Sequence, residues 1–243
     1  MESFAATVDR AWGLLVGLDA HLVQIVARSL VVSGSACTIA CTLGLAMGAW
    51  LGIARFRGRG AVLTVLNTSL ALPSVVVGLV VYLLLSRSGP LGFMGWLFSL
   101  KAMVVAQTIL VLPVAAALTR QVVEDVESNS GEQLRSLGAG VAMRALLIAW
   151  DERYALLTVV IACFGRAIAE VGAVMVVGGN MEGFTRVMTT AIALETEKGD
   201  LPLALALGAV LLAVVLFLNA LIAVVRRWRL STIDQPMLQE IAA

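Results

Sequence analysis

Charged residues are scarce in this chain. Of its 243 residues only 14% are charged, 60% are hydrophobic, and the mean hydropathy is +0.97. This apolar fraction exceeds that of ordinary soluble domains and predicts a protein that crosses a membrane several times. The 17 basic and 16 acidic residues nearly balance, and no basic stripe carries interleaved aromatic residues. Nucleic acid is therefore not a predicted partner.

Residues that commonly carry chemistry are also few. His21 is the single histidine, and Cys37, Cys41 and Cys163 lie in apolar runs without zinc-site or disulfide-framework spacing. The sequence contains neither a GxSxG elbow nor a pair of intramembrane aspartates, so a membrane-embedded enzyme is not predicted. It also lacks the GxxxxGK[ST] phosphate loop, so any ATP hydrolysis must come from another polypeptide.

Long uncharged runs predict the membrane spans. Crossing a bilayer takes roughly 18 to 20 apolar residues. Four runs meet this length, and a fifth meets it while containing two charges. The predicted spans are 29–54, 61–86, 102–119, 154–177 and 201–225. We expect residues 1–28 to form a retained N-terminal segment with a short amphipathic helix, without a cleavage site.

Lysine and arginine in the connecting segments predict the orientation. Cytoplasmic loops carry the excess of these residues. Ten fall on one side of the five spans, in segments 55–59, 120–153 and 226–229, and six fall on the other. The N-terminal segment is thus predicted outside, and the tail 226–243 inside.

Small residues and prolines mark positions inside the spans. Gly44, Gly48 and Gly52 recur every four residues, which lets another helix approach closely. Pro73 and Pro113 each remove a backbone donor and favour a kink.

Two opposite charges stand in the fifth span, in "FGRAIAEVGAVMVVGGN". Arg166 and Glu170 are four residues apart and can meet on one helix face. Each alone would cost about 2.5 to 3.5 kcal/mol at the centre of a membrane helix, and pairing lowers that cost. Two interpretations follow, a structural bridge or a pair beside a translocation path that rearranges between states. Gly178, Gly179 and Asn180 follow and would build a narrow gate at the outer end.

The longest inner segment, 120–153, contains ten charges in 34 residues. Its pattern predicts a short helix that begins near Asn129 or Ser130 and stops at Gly138, followed by a second helix that leads into the membrane. Such a pair of helices at the inner surface would serve as a docking element for a partner.

This inner segment resembles the cytoplasmic loop of ABC importer permeases. Glu132, Gly138 and Ile148 match the glutamate, glycine and isoleucine of the loop signature. The sequence departs from that signature where it has Gln133 and Leu134 in place of two alanines, and Trp150 and Asp151 in place of Leu-Pro.

The resemblance extends over nearly the whole second half. "FGRAIAEVGAVMVVGGN" followed by "TRVMTTAIALE" resembles the tungstate-type permeases, neighbours of the molybdate and sulfate permeases. The family implies an all-α type I importer fold in the cytoplasmic membrane of a prokaryote. It also implies a homodimer, two ATPase subunits that bind ATP and magnesium, and an external binding protein.

The residue patterns and the resemblance together assign roles to residues, the resemblance for the coupling and docking residues and the patterns for the path. The residues expected to couple to the ATPase are Glu132, Ser136, Leu137, Gly138, Ala139, Met143 and Arg144. The residues expected along the path or gate are Arg166, Glu170, Gly178, Gly179 and Asn180. The residues expected to dock the binding protein are Glu182, Arg186 and Lys198, on an interfacial helix that stops near Gly199.

Two alternatives stay open at this point. A molybdate or sulfate permease differs only in its substrate. In permeases of this type, selectivity for the substrate comes mostly from the binding protein. A secondary transporter belongs to a different class, since a single intramembrane acid such as Glu170 could carry a proton. Neighbouring genes for an ATPase and a binding protein would favour the importer.

Overall fold

The computed structural model describes residues 4–17 and 19–241, with side chains described for 6–17, 19–225 and 227. Every regular element in these residues is helical. The ten α-helices are α1 Phe4–Val16, α2 Ala20–Ile53, α3 Arg59–Leu70, α4 Ser74–Leu85, α5 Leu100–Ser136, α6 Val141–Asp151, α7 Arg153–Ile168, α8 Gly172–Gly178, α9 Met188–Lys198 and α10 Leu201–Ile241. A 3-10 turn, Gly92–Met94, lies between α4 and α5.

The chain divides into two compact units, and the longest helices contribute to both. Unit 1 contains the chain up to Ile39 together with Ala71–Val111 and Phe164–Val215. Unit 2 contains Ala40–Leu70, Leu112–Cys163 and the chain from Leu216 onward.

Three helices are long and apolar enough to cross a membrane. They are α2, α5 and the Leu201–Val225 part of α10. Two further pairs pass the same test together but are bent, α3 with α4 by 101° and α7 with α8 by 56°. Five spans, as the sequence predicts, are reached when each bent pair counts as one span.

The bend in the predicted span 61–86 has a physical cause at residues 71–73. Pro73 stands immediately before α4, where its missing N–H interrupts the hydrogen-bond ladder. The kink predicted there is a full break between two helices. Pro113, by contrast, lies inside α5, which continues through it.

Unit 1 contains two apolar clusters. One joins α4 and α8 through the first part of α5, with Val81, Met103 and Val174 nearly inaccessible. A β-carbon at Gly78 of α4 would lie 2.8 Å from the Ala173 α-carbon, so the two helix backbones touch at this point. The second cluster joins α1, α2, α9 and α10 around Ile25 and Leu207.

Unit 2 confirms the predicted close approach along the glycine stripe. A β-carbon at Gly44 would meet the Ala115 β-carbon at 2.6 Å, and one at Gly52 would meet Val123 at 2.9 Å. A β-carbon at Gly48 would collide with the Ala116 carbonyl. The second part of α2 therefore packs backbone against backbone on α5.

The segment after residue 119 differs from its prediction. α5 runs without interruption from Leu100 to Ser136, so the separate short helix predicted from Asn129 or Ser130 is wrong. The predicted stop is confirmed, because the chain turns at Gly138 with φ +80°. The second predicted helix is split, since α6 ends at Asp151 and α7 begins at Arg153.

The two ends of the chain also differ from the predicted boundaries. The N-terminal segment predicted as 1–28 is divided, because α2 begins at Ala20 and α1 covers Phe4–Val16. Residues 1–3 lie outside the described residues. The tail predicted as 226–243 continues α10 to Ile241, but its side chains other than Arg227 lie outside the described residues.

Candidate functional site

The break between α7 and α8 is organised around Glu170. Its Oε1 atom accepts a hydrogen bond from the Ala173 N–H at 3.2 Å, in the first turn of α8, and its backbone carbonyl accepts one from the Thr189 hydroxyl at 2.8 Å. The side chain thus caps a helix whose first N–H groups have no partner within the helix. A carboxylate at this position stabilises the bend in the chain.

Arg166 and Glu170 form the ion pair that their spacing predicts. Arg166 Nη1 donates to Glu170 Oε2 at 2.7 Å. The two partners differ in burial, since the Glu170 side chain is 4% exposed and the Arg166 side chain 44%. The pair therefore presents a guanidinium to the surface of the described chain and keeps the carboxylate inside.

Further polar groups converge on the same break. The Gln107 amide donates to the Ala167 carbonyl at 3.0 Å, and the Ser29 hydroxyl accepts from the Met188 N–H at 2.7 Å. Between them lies a cavity with room for roughly one water molecule, lined by Gln107, Ser29, Ser33 and Glu170 among others. Gln107 and Ser29 could not be predicted as part of this site, because a single polar residue in an apolar run does not indicate which group it contacts.

The residues predicted as a gate lie at the other end of α8. Gly178 is buried against Met103, and Gly179 adopts φ +68° beside the Phe98 ring. The Asn180 amide donates to the Thr190 carbonyl. Because α8 is seven residues long, its two ends are about 10 Å apart. The structure therefore does not bring these three residues next to Arg166.

The three predicted docking residues occupy different environments around α9. Glu182 and Lys198 have largely exposed side chains. Arg186 is buried, with Nη1 3.4 Å from Glu195 Oε1 and 3.7 Å from Glu182 Oε2. The predicted stop of this helix is confirmed, because Gly199 ends α9 with φ +85°.

α6 has one buried and one exposed face. Arg144 and Ile148 point into unit 2, where Ile148 packs with Ile53 and Val123. The opposite face carries large apolar side chains that are exposed, and Trp150 is the most exposed of them at 72%. The other exposed apolar side chains of this helix are Val141, Met143, Leu146 and Leu147.

The remaining predicted coupling residues surround the turn before α6. Glu132 and Ser136 are exposed near the end of α5, and Leu137 is 82% exposed in the turn itself. Ala139 follows Gly138 and its carbonyl accepts a hydrogen bond from Arg144. These residues form one continuous stretch from the end of α5 into α6.

Two charge clusters in unit 2 were not predicted, and of their contacts only the pair of Arg120 with Glu124 has the four-residue spacing of a helix face. Glu127 is buried against Arg135 and Arg144. Glu124 pairs with Arg59 at 3.0 Å and also with Arg120. Partners that lie 8, 17 or 65 positions apart cannot be recognised from helical spacing, which reveals only neighbours three or four residues apart.

Among the described side chains, those of residues 6–17, 19–225 and 227, there is no group of three or more that could hold a metal ion. The described residues instead form apolar helices, with an ion pair at the break between α7 and α8 and an exposed apolar face on α6. The helices that are long and apolar enough to cross a membrane indicate a multi-pass membrane protein.

Comparison with known proteins gives the family. The chain is 44% identical over 206 residues to a probable anion ABC transporter permease protein of Haloferax volcanii, an alignment covering 83% of this chain and 89% of the relative. It is 42% identical over 222 residues to a tungstate uptake system permease protein of Peptoclostridium acidaminophilum, covering 91% and 97%. It is 32% identical over 219 residues to a sulfate transport system permease protein of Escherichia coli, covering 83% and 73%. No family model matches the chain.

The chain therefore belongs to the ABC transporter permeases, in the group that contains the tungstate, anion and sulfate permeases. This membership confirms the resemblance that the inner segment and the second half of the sequence indicate.

Proposed function

We propose that this chain is the membrane-spanning subunit of an ATP-driven importer for tungstate. The observation that carries the proposal is the similarity to tungstate uptake permeases over nearly the full length of both chains. The relatives named for sulfate and molybdenum are less similar, at 28 to 34% identity. Molybdate and sulfate are thus the alternative substrates.

The exposed apolar face of α6 supports coupling to a separate ATPase. An apolar patch that protrudes from a membrane protein beside charged residues is typical of a protein interface. Aromatic and large aliphatic side chains such as Trp150 and Leu146 commonly dominate the binding energy of such interfaces. In this proposal the end of α5 and α6 face the cytoplasm, where α6 inserts into an ATPase subunit.

The assembly proposed here contains two copies of the chain, two ATPase subunits and an external binding protein. ATP and magnesium bind to the ATPase subunits, and the chain itself carries out no chemical conversion. The complex lies in the cytoplasmic membrane, with the N-terminus outside. Glu182, Lys198 and the exposed Phe184 lie on the surface assigned to the binding protein.

Arg166 is assigned to the translocation path because its guanidinium is half-exposed while its partner is buried. A guanidinium paired with a carboxylate attracts an anion only weakly, since the two charges offset each other. The pair therefore contributes by changing its arrangement as the path opens, rather than by holding the oxyanion. Gly178, Gly179 and Asn180 form the outer constriction in the same proposal.

The substrate is tested by uptake into vesicles that contain the chain, its ATPase and its binding protein. We expect ATP-dependent uptake of tungstate that unlabelled tungstate suppresses at lower concentration than molybdate or sulfate. Equal suppression by all three anions would contradict the assignment to tungstate.

The coupling surface is tested by Trp150→Ala and Leu146→Ser. We expect each to weaken binding of the ATPase subunit by about thirtyfold, because each removes an apolar anchor. Phe93→Ala is the matched control, since Phe93 is exposed but lies in unit 1. Unchanged ATPase binding by both α6 variants would exclude this face as the interface.

A further inference from the structure

Glu127 lies at the junction of α5 and α6 and contacts charged groups from both helices. Its Oε1 atom accepts a hydrogen bond from Arg135 Nη2 at 2.8 Å, near the end of α5. The same oxygen lies 3.3 Å from Arg144 Nη2, in the first turns of α6. One carboxylate therefore joins the long helix to the helix whose opposite face is exposed.

The two arginines are not equivalent. The Arg135 side chain is 51% exposed, whereas those of Arg144 and Glu127 are 8% and 2% exposed. Water can replace a partner that Arg135 loses, but a buried charge that loses its partner stays uncompensated. The Arg144 contact is thus the one on which the placement of α6 depends.

Gly131 provides the space for this carboxylate. A β-carbon at Gly131 would lie 2.6 Å from the Glu127 side-chain carboxyl carbon and 2.8 Å from Oε1. Any larger residue here would displace the carboxylate from the position where it meets Arg144. Gly131, one turn beyond Glu127, is therefore required for the contact between Glu127 and Arg144.

Arg144 also holds the turn that precedes α6. Its Nη1 atom donates to the Ala139 carbonyl at 3.4 Å, and Ile148 packs one turn later against Ile53 and Val123. Two buried residues of α6 are thus fixed on its inner face. These contacts set the direction in which the exposed face of α6 points.

We propose that Glu127 is a positioning residue that transmits movement between α6 and α5 through Arg144. The proposal rests on the function proposed above, in which α6 contacts the ATPase. Without the ionic contact, α6 would still bind the ATPase through its outer face, but its motion would no longer drive α5. ATP would then be hydrolysed with less transport.

Hydrogen exchange of the α6 backbone amides, in the complex with ATPase and binding protein, tests the positioning directly. We expect Glu127→Gln and Arg144→Gln to speed exchange over residues 141–151 by about tenfold, because each breaks the buried pair. Arg135→Gln is the matched control and should change the exchange rate over residues 141–151 less than twofold. Exchange at the wild-type rate in both buried variants would overturn the proposal.

The second readout is the number of ATP molecules hydrolysed per tungstate imported. We expect this ratio to rise about tenfold in Glu127→Gln and to stay within twofold of wild type in Arg135→Gln. Faster exchange with an unchanged ratio would overturn the coupling role. If the wild-type complex imports no tungstate with ATP, the proposed function is wrong. The exchange measurement still tests whether Glu127 positions α6.

Gly131→Ala keeps the test decisive if the charge variants do not assemble, and Glu127→Ala/Gly131→Ala tests the contact between the two residues where they do. We expect Gly131→Ala to raise exchange over 141–151, and the double variant to show no further increase over Glu127→Ala. Independent, additive effects of the two substitutions would contradict the proposed contact between them.

Discussion

Glu170 in unit 1 and Glu127 in unit 2 are both buried carboxylates that contact arginine, yet their surroundings differ. Glu170 binds an arginine one turn earlier in the chain and caps the next helix, so its contacts are local and include the backbone. Glu127 reaches an arginine 17 residues away on a separate helix. The first stabilises a break in a helix pair, and the second joins two helices. A buried glutamate in this chain thus holds either a break between consecutive helices or a contact between two separate helices.

Glu170→Ala is the variant expected to lose the most stability. We expect a loss of about 3 kcal/mol in the free energy of unfolding, because removing the buried Glu170 side chain leaves a cavity and the Ala173 N–H loses its acceptor. Glu170→Gln should lose distinctly less, since an amide oxygen still accepts from Ala173. Unfolding of the purified chain in mixed micelles measures both, and equal losses would contradict the capping role.

Gly78→Ala should cost about 2 kcal/mol in the free energy of unfolding, because the added methyl group meets the α8 backbone at Ala173. Gly131→Ala should cost about half as much by the same principle, since its methyl group meets the movable end of a side chain. Gly34→Ala is the control, because a β-carbon there meets nothing within 4 Å. The same unfolding assay ranks the three variants. A larger loss in the free energy of unfolding for Gly131→Ala than for Gly78→Ala would contradict this prediction.

The smallest effect is expected for Thr189→Val. It removes the hydroxyl that donates to the Glu170 carbonyl while preserving the shape of the side chain, at a cost of about 1 kcal/mol. Thr196→Val is the matched control, because that hydroxyl is exposed and bonds within its own helix. Equal stability of Thr189→Val and wild type would remove Thr189 from the set of groups that hold the break.

Local patterns in the sequence predict the parts of this molecule that depend on neighbouring residues. The glycine stripe Gly44, Gly48 and Gly52 predicts a close helix contact, and the spacing of Arg166 and Glu170 predicts their ion pair. Both follow from helical geometry alone. The family resemblance adds the segment around Glu132 and Gly138, whose exposure near the end of α5 agrees with a docking role.

Other features depend on contacts between distant residues and could not be predicted in this way. The pattern after residue 120 predicts a separate short helix from Asn129 or Ser130, but α5 continues to Ser136 and Glu127 pairs with Arg135 and Arg144. Pro73 predicts a kink, and the bend does lie at Pro73, but its size of 101° could not be predicted from one residue. The direction of α5 and the partners of Glu127 depend on tertiary packing.

We propose that this chain imports an oxyanion with energy supplied by a separate ATPase. The most direct test is tungstate accumulation in vesicles that contain the chain, the ATPase and the binding protein, with and without ATP and a proton ionophore. We expect accumulation that requires ATP and all three components and that the ionophore does not abolish. Accumulation without the ATPase, or its loss when the proton gradient is dissipated, would contradict an ATP-driven importer and favour an ion-coupled transporter.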